Sequence, residues 1–203
     1  VSAALLGIGA GYLWAPAAIL VGILWIAILM FFRDPPRNAP EDRLALLSPA
    51  DGKVTEIARI DHDDRLGGPS LKIGIFLSVF DVHINRSPCP GTVRKIDLKP
   101  GQYLDARDPK SSADNASNTI ILDGGEIMGM MVVKQITGLI ARRIVCAAEV
   151  GDTLGRGQRY GMIKFGSRTE LVVNRPDDLD VLVKIGDTVR AGRTILARRV
   201  NRG

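Results

Sequence analysis

Charge is missing from the first 32 residues, so all 27 Lys and Arg and all 22 Asp and Glu fall in 33–203. Histidine and cysteine are also scarce, with two of each, and aromatic residues make up only 5% of the chain. These shortages exclude whole classes of chemistry. The cysteines, Cys89 and Cys146, sit in no CxxC or metal-ligand spacing, and no histidine cluster joins them. No metal site is therefore expected, and the cysteines read as small reduced core residues rather than a disulfide framework. The net charge of +5 and pI of about 9.5 could attract nucleic acid, but no nucleic-acid motif accompanies them. Beside an uncharged segment, the basic excess suits an anionic membrane surface better.

Residues 1–32 are apolar throughout and would reach about 48 Å as a straight helix, more than the roughly 30 Å of a hydrocarbon core. Pro16 falls in the middle. Two arrangements fit a membrane anchor: a helical hairpin of 2–13 and 17–32, or a spanning helix near 15–32 with a segment before it. The basic start and small-residue cleavage site of a signal peptide are not seen in this segment. Arg33, Arg37 and Arg43 follow it, as on a cytoplasmic flank. The expected organisation is an anchor, 1–32, and a β-rich domain, 33–203, located at the cell membrane with the domain on the cytoplasmic side.

Pro35, Pro36 and Pro40 mark an extended linker. After it come short apolar runs broken by Gly, Pro and Asp: 52–60, 71–79, 91–98, 118–122, 127–136, 141–150, 160–165, 170–173 and 180–185. Their alternation and β-branched content predict strands, and only 104–112 or so suggests a short helix. Two faint repeats appear. Residues 50–57 echo 90–96, and Val150-Gly151-Asp152-Thr153 echoes Ile185-Gly186-Asp187-Thr188. The fold class is mainly β, barrel-sandwich-hybrid-like, with an N-terminal apolar helical membrane anchor. The polar stretch 101–118 reads equally as a surface loop or a lid.

His62 lies in a polar turn. His83 follows a strand and is flanked by Asp81, Asn85 and Arg86, where an acid/base group could be held. Asp51 precedes Gly52 and is either a turn residue or a carboxylate that orients His83. Gly166-Ser167 lies between two strands and is either a hairpin turn or a reactive pair. Without a Cβ, Gly166 leaves its carbonyl open to the Ser167 hydroxyl. An N→O acyl shift and β-elimination would cut the chain there and turn Ser167 into a pyruvoyl group.

Several separated motifs then agree: Phe31-Phe32-Arg33-Asp34-Pro35-Pro36-Arg37, Pro49-Ala50-Asp51-Gly52-Lys53-Val54, Phe80-Asp81-Val82-His83, Asn115 with Asn118, Gly138-Leu139-Ile140-Ala141-Arg142-Arg143-Ile144, and Gly161 through Phe165-Gly166-Ser167-Arg168. Together they resemble the phosphatidylserine decarboxylase family, in its short bacterial and archaeal form. The resemblance implies self-cleavage between Gly166 and Ser167 into 1–166 and 167–203. It also implies a covalent pyruvoyl cofactor derived from Ser167. Phosphatidylserine would lose CO₂ through a Schiff base with that group, giving phosphatidylethanolamine. Ser167, His83 and Asp51 would be catalytic, with His83 also the proton donor in turnover. Arg86, Asn115, Asn118, Arg142 and Arg168 are substrate-binding candidates, as is Arg143. The resemblance departs at Arg86, where many members carry a second histidine, and at Ala116-Ser117 within the asparagine motif.

The expected partners are a membrane phospholipid substrate and the two fragments themselves. A homodimer is compatible with a membrane-facing β domain, and nucleic acid is not expected. Two other readings stand beside this one: a membrane-attached serine hydrolase or self-processing protease using Ser167, His83 and Asp51, and a non-catalytic tethered carrier-like β domain. The carrier reading lacks a modifiable lysine at a hairpin tip.

Overall fold

The structure, a computed structural model, describes residues 2–108, 110–139, 143–163 and 166–200. The chain separates into two compact units that divide between Arg33 and Asp34. The first is a single helix, α1 (Ser2–Phe31), which continues through Pro16. A proline removes one backbone hydrogen bond without obliging the chain to reverse, so the two-helix hairpin does not form. The Arg33 guanidinium donates to the Met30 carbonyl at the helix end. Among the described residues no helix is long and apolar enough to cross a membrane.

The second unit is mainly β, as expected. Its strands are β1 (Ala45–Leu47), β2 (Gly52–Asp63), β3 (Gly68–Leu77), β4 (Ile84–Arg86), β5 (Gly91–Lys99), β6 (Ser117–Asp123), β7 (Met130–Ile136), β8 (Ile144–Cys146), β9 (Thr153–Leu154), β10 (Arg159–Ile163), β11 (Ser167–Asn174), β12 (Leu179–Val181), β13 (Thr188–Val189) and β14 (Ile195–Arg199). Two four-residue helices, α2 (Ser111–Asp114) and α3 (Gly125–Met128), interrupt them. An antiparallel eight-stranded sheet runs β13-β2-β3-β11-β7-β6-β5-β9. Two three-stranded sheets, β4-β10-β8 and β1-β14-β12, complete the unit.

Three sequence expectations change. Apart from residue 109, which is not described, 104–110 is loop and turn, and helix begins only with α2 at Ser111. Asp105 and Asp108 there accept the amides of Arg107 and Lys110, a local bond that competes with a helical ladder. The run 127–136 becomes a strand only from Met130, because α3 and left-handed Gly129 precede it. Of 141–150, only Ile144–Cys146 is strand among the described residues.

The faint repeats correspond to a structural duplication. Val54 and Val93 each donate an amide to the aspartate carbonyl of a Gly-Asp turn, Asp187 and Asp152 in turn. Each then accepts from that turn's glycine, Gly186 or Gly151, and both glycines have φ near +98° to +99°. Ser48 Oγ and Ser87 Oγ each bond the carbonyl two residues on, at 2.6 Å. Gly157 and Gly192, both at φ +66°, lie against one another where the two repeats meet.

The core is built in rows across the large sheet. On one face of β11, Val173 aligns with Leu71, Met131 and Leu122, and Leu171 aligns with Ile73, Val133 and Ile120. All of these are buried in one apolar cluster. Because alternate strand residues share a face, Thr169 and Ser167 continue the same face toward the start of β11.

Candidate functional site

The next row on that face is polar. Thr169 aligns with Gln135, which aligns with Asn118. Asn118 Nδ2 donates to Gln135 Oε1 (2.8 Å), and Gln135 Nε2 donates to Asn85 Oδ1 (2.8 Å). Asn85 Nδ2 then donates to Thr169 Oγ1 (3.1 Å) and to the Pro49 carbonyl (3.3 Å). All four side chains are fully enclosed. Burying such groups is tolerable because each amide makes at least one bond within the row, and an unmade bond would cost about 1–3 kcal/mol. Gly161 of β10 lies directly over this row, since a Cβ there would be 3.0 Å from Gln135 Nε2.

Ser167 is the last residue of this face and opens β11, paired with Leu77 of β3. It is fully buried, and its Oγ has no hydrogen-bond partner among the described residues. A hydroxyl normally finds a partner when buried, so an idle one is a site signal. Gly166 before it has φ +54°, a region that favours glycine. The carbonyl of Gly166 abuts the backbone of Gly138, where an added Cβ would lie 2.0 Å from the oxygen. A cleft of about 300 Å³ opens beside Gly166, lined chiefly by Phe76, Ser78, Val79, Ala106, Arg107 and Leu139.

His83 is fully buried immediately before β4. Its carbonyl accepts the Ile163 amide (3.2 Å), which ties it to the end of β10, three residues ahead of Gly166. Its Nδ1 lies 2.9 Å from the Asp81 carbonyl. A carbonyl can only accept, so Nδ1 is the nitrogen that carries the proton in this contact. Asp81 is itself fixed, since its Oδ2 accepts from the amide and hydroxyl of Ser78.

The expected partnership of Asp51 with His83 is not made. Asp51 Oδ2 accepts from Arg37 Nη2 (2.8 Å), and Oδ1 accepts the Ala191 amide (2.7 Å). Both oxygens are therefore committed to joining the linker and the Ala191 turn to the body. A Ser-His-Asp array is not assembled, which removes the geometric basis of the serine hydrolase reading.

The substrate-binding candidates divide. Asn118 belongs to the buried amide row, and its Oδ1 has no hydrogen-bond partner among the described residues. Asn115 is saturated instead: Oδ1 accepts from the Leu104 amide, and Nδ2 donates to the Leu104 and Thr137 carbonyls. It pins the polar stretch to the sheet. Arg86 donates to the Gly157 carbonyl (3.1 Å) and to Asp34 (2.9 Å), and burial lowers its pKa. Arg168 points to the opposite face of β11, where it pairs with Glu170 (2.8 Å) and Glu56. Arg142, together with Lys164 and Phe165 of the cleavage motif, lies outside the described residues. Arg143 is exposed beside Leu98 and Thr137 in a separate groove.

Sequence reasoning missed Gln135 and Thr169, and it named Asp81 and Asn85 only as neighbours of His83. Gln135 had a signal, being polar on the otherwise apolar face that Met131 and Val133 share with it. Asp81 acts through its backbone carbonyl, a contribution that residue type does not reveal.

A family model described as phosphatidylserine decarboxylase matches residues 25–197. A "phosphatidylserine decarboxylase proenzyme" of Rhodopirellula baltica is 44% identical over 95% of this chain and 80% of its own length. Proteins of the same name from Pelobacter propionicus (46% identity, 88% of this chain and 80% of the relative) and Symbiobacterium thermophilum (44%, 91% and 84%) are similar to a like degree.

Proposed function

The chain belongs to the phosphatidylserine decarboxylase family, and on that premise we propose that it cuts itself between Gly166 and Ser167 and then converts phosphatidylserine to phosphatidylethanolamine and CO₂. One observation carries the reading: a buried Ser167 hydroxyl with no partner among the described residues follows directly on a left-handed glycine. A serine kept only for turn formation would bond its own backbone or water.

In this reading His83 Nε2 takes the Ser167 proton as Oγ bonds to the Gly166 carbonyl carbon. The Gly166–Ser167 C–N bond breaks, its nitrogen gains a proton, and the two fragments are joined by an ester. Loss of the Ser167 α-proton then breaks the Cβ–Oγ bond, leaving Gly166 as a carboxylate and residue 167 as dehydroalanine. Water replaces its nitrogen, ammonia leaves, and a pyruvoyl end remains. That group supplies an electron sink for decarboxylation. The surroundings fit it. Position 167 is held by the β3 ladder beside the cleft, on the same face as the neutral hydrogen-bonding row of Thr169, Gln135 and Asn85. No fixed carboxylate of that row competes for the substrate amine. His83 is the proton donor to the product carbon.

The mainly apolar lining of the cleft suits lipid chains, and Arg107 is its guanidinium for an anionic head group, paired at rest with Asp105. The finer architecture is a barrel-sandwich-hybrid-like domain, supported by the duplicated Gly-Asp turns. The uncharged segment 1–32 attaches it to the cell membrane with the domain on the cytoplasmic side, and a homodimer is the assembly to test by sedimentation.

Intact-mass measurement on the purified chain tests the reading. Two fragments, 1–166 and 167–203, are expected, the smaller blocked to Edman degradation. A single unmodified chain that still releases CO₂ would sink it, and a free N-terminal Ser167 would point to hydrolysis instead.

A further inference from the structure

We propose that Gly138 is a positioning residue for self-cleavage. Its missing Cβ is the seat of the Gly166 carbonyl, and Thr137 and Asn115 hold that seat in place. The proposal rests on the self-cleavage reading above and adds to it the device that fixes the bond to be attacked.

A Cβ built at Gly138 would lie 2.0 Å from the Gly166 carbonyl oxygen and 3.0 Å from its carbon, with the Ala106 Cβ at 3.3 Å as its next neighbour. The first two contacts are with backbone, so a side chain at 138 could be admitted only by moving the scissile carbonyl. The φ of Gly138 is outside the left-handed region, so alanine meets no conformational penalty of its own there. Glycine at 138 is required by the close approach alone.

Both walls of this contact are anchored. On one side Ser167 is held in the β11–β3 ladder opposite Leu77. On the other, Thr137 is enclosed. Its amide and its Oγ1 both donate to the Ala116 carbonyl (3.0 and 2.9 Å), and its own carbonyl accepts Asn115 Nδ2 (2.8 Å). A chain of contacts therefore runs from Asn115 through Thr137 and Gly138 to the carbonyl that Ser167 must attack. This gives Asn115 a role that its saturated side chain denies it as a lipid ligand. Orientation of an attacked carbonyl matters strongly, because an ångström of misplacement can cost about a hundredfold in rate.

The test uses the full chain, with self-cleavage followed by intact mass after synthesis. Gly138→Ala is expected to slow cleavage at least tenfold while its melting temperature stays within a few degrees of wild type. Because the block precedes the ester, the uncut Gly138→Ala chains should also stay whole in neutral hydroxylamine, which severs esters and spares amides. Asn115→Ala should slow cleavage in the same direction by a smaller factor. Cleavage of Gly138→Ala at the wild-type rate would overturn the proposal, as would its fragmentation by hydroxylamine. If Gly138→Ala also melts early, Asn115→Ala decides, and normal cleavage in that variant overturns the proposal. A wild-type chain that is never cut fails the decarboxylase reading as well, whereas a cut wild type with a cut Gly138→Ala fails this inference alone.

Discussion

The two faces of β11 are built from opposite chemistries. One carries Ser167 and Thr169 beside the neutral amides of Gln135, Asn85 and Asn118. The other carries Arg168 and Glu170, buried as ions and joined to Glu56, Lys72 and Ser112. Gly74 makes this possible, since a Cβ there would lie 2.6 Å from the Arg168 guanidinium. Charge is thus kept off the reactive face while a charge cluster clamps the strand from behind. A fixed ion next to Ser167 would shift the protonation of any nearby base, while neutral amides orient groups without doing so.

The comparison is broken most completely by Ser167→Ala. It should leave one uncut chain and abolish CO₂ release, with little change in melting, because a hydroxyl without a partner is removed. His83→Ala should leave the chain uncut, or cut and inactive. Normal cleavage and turnover in that variant would remove His83 from the mechanism. On the opposite face the sign of the readout reverses. Arg168→Ala takes the cationic partner from buried Glu170 while Glu56 keeps Lys72, and removing one partner of a buried pair costs about 3–5 kcal/mol. Thermal denaturation should show a large drop, while below the new melting point self-cleavage proceeds. Loss of cleavage at a temperature where Arg168→Ala is folded would show that the two faces are not separable.

Much of this division was legible in the sequence, but unequally. Gly166-Ser167 and His83 could be picked out because glycine before serine and a lone histidine at a strand end have few uses. The expected strand, 170–173, stopped short of Ser167 and Arg168, so neither their opposite faces nor the carboxylates lining one of them could be read from the sequence. Arg168 was therefore read as a lipid ligand. The partners of Asp51 were hidden for a similar reason. Its partners Arg37 and Ala191 are far from it in the chain and near it only after folding. Strands of two or three residues such as β4, β9 and β13 are too short to show a period, which hid the sheet that carries Asn85 over the site.

A smaller test addresses the amide row. Gln135→Leu removes the acceptor of Asn118 and the donor to Asn85, and Asn85→Leu cuts the link between β4 and β11. Each should cost about 1–3 kcal/mol from stranded buried amides. Both should also slow cleavage more than their stability loss explains, because they loosen the strand after His83 against the strand that begins at Ser167. Cleavage time courses at matched distance below each melting temperature would check this. Rates that simply track stability would reduce the row to a structural role.

The mildest perturbation is acid. Burial pushes the Glu56 carboxyl up, but bonds and charge from Lys72 and Arg168 outweigh it and hold the pKa below the ordinary 4.5. The folded carboxylate then binds a proton more weakly than the unfolded one. Its contribution to stability is complete above the unfolded value and is lost as pH falls through the lower folded value. Melting temperature should therefore decline as pH is lowered below about 4.5, and part of that decline should vanish in Glu56→Gln. The described residues on the Ser167 face of β11 and its amide row include no carboxylate, so substitutions confined to them, such as Thr169→Val, should leave the acid slope unchanged. If Thr169→Val instead flattened that slope as much as Glu56→Gln, the charge of the back face would be coupled through the strand to the site.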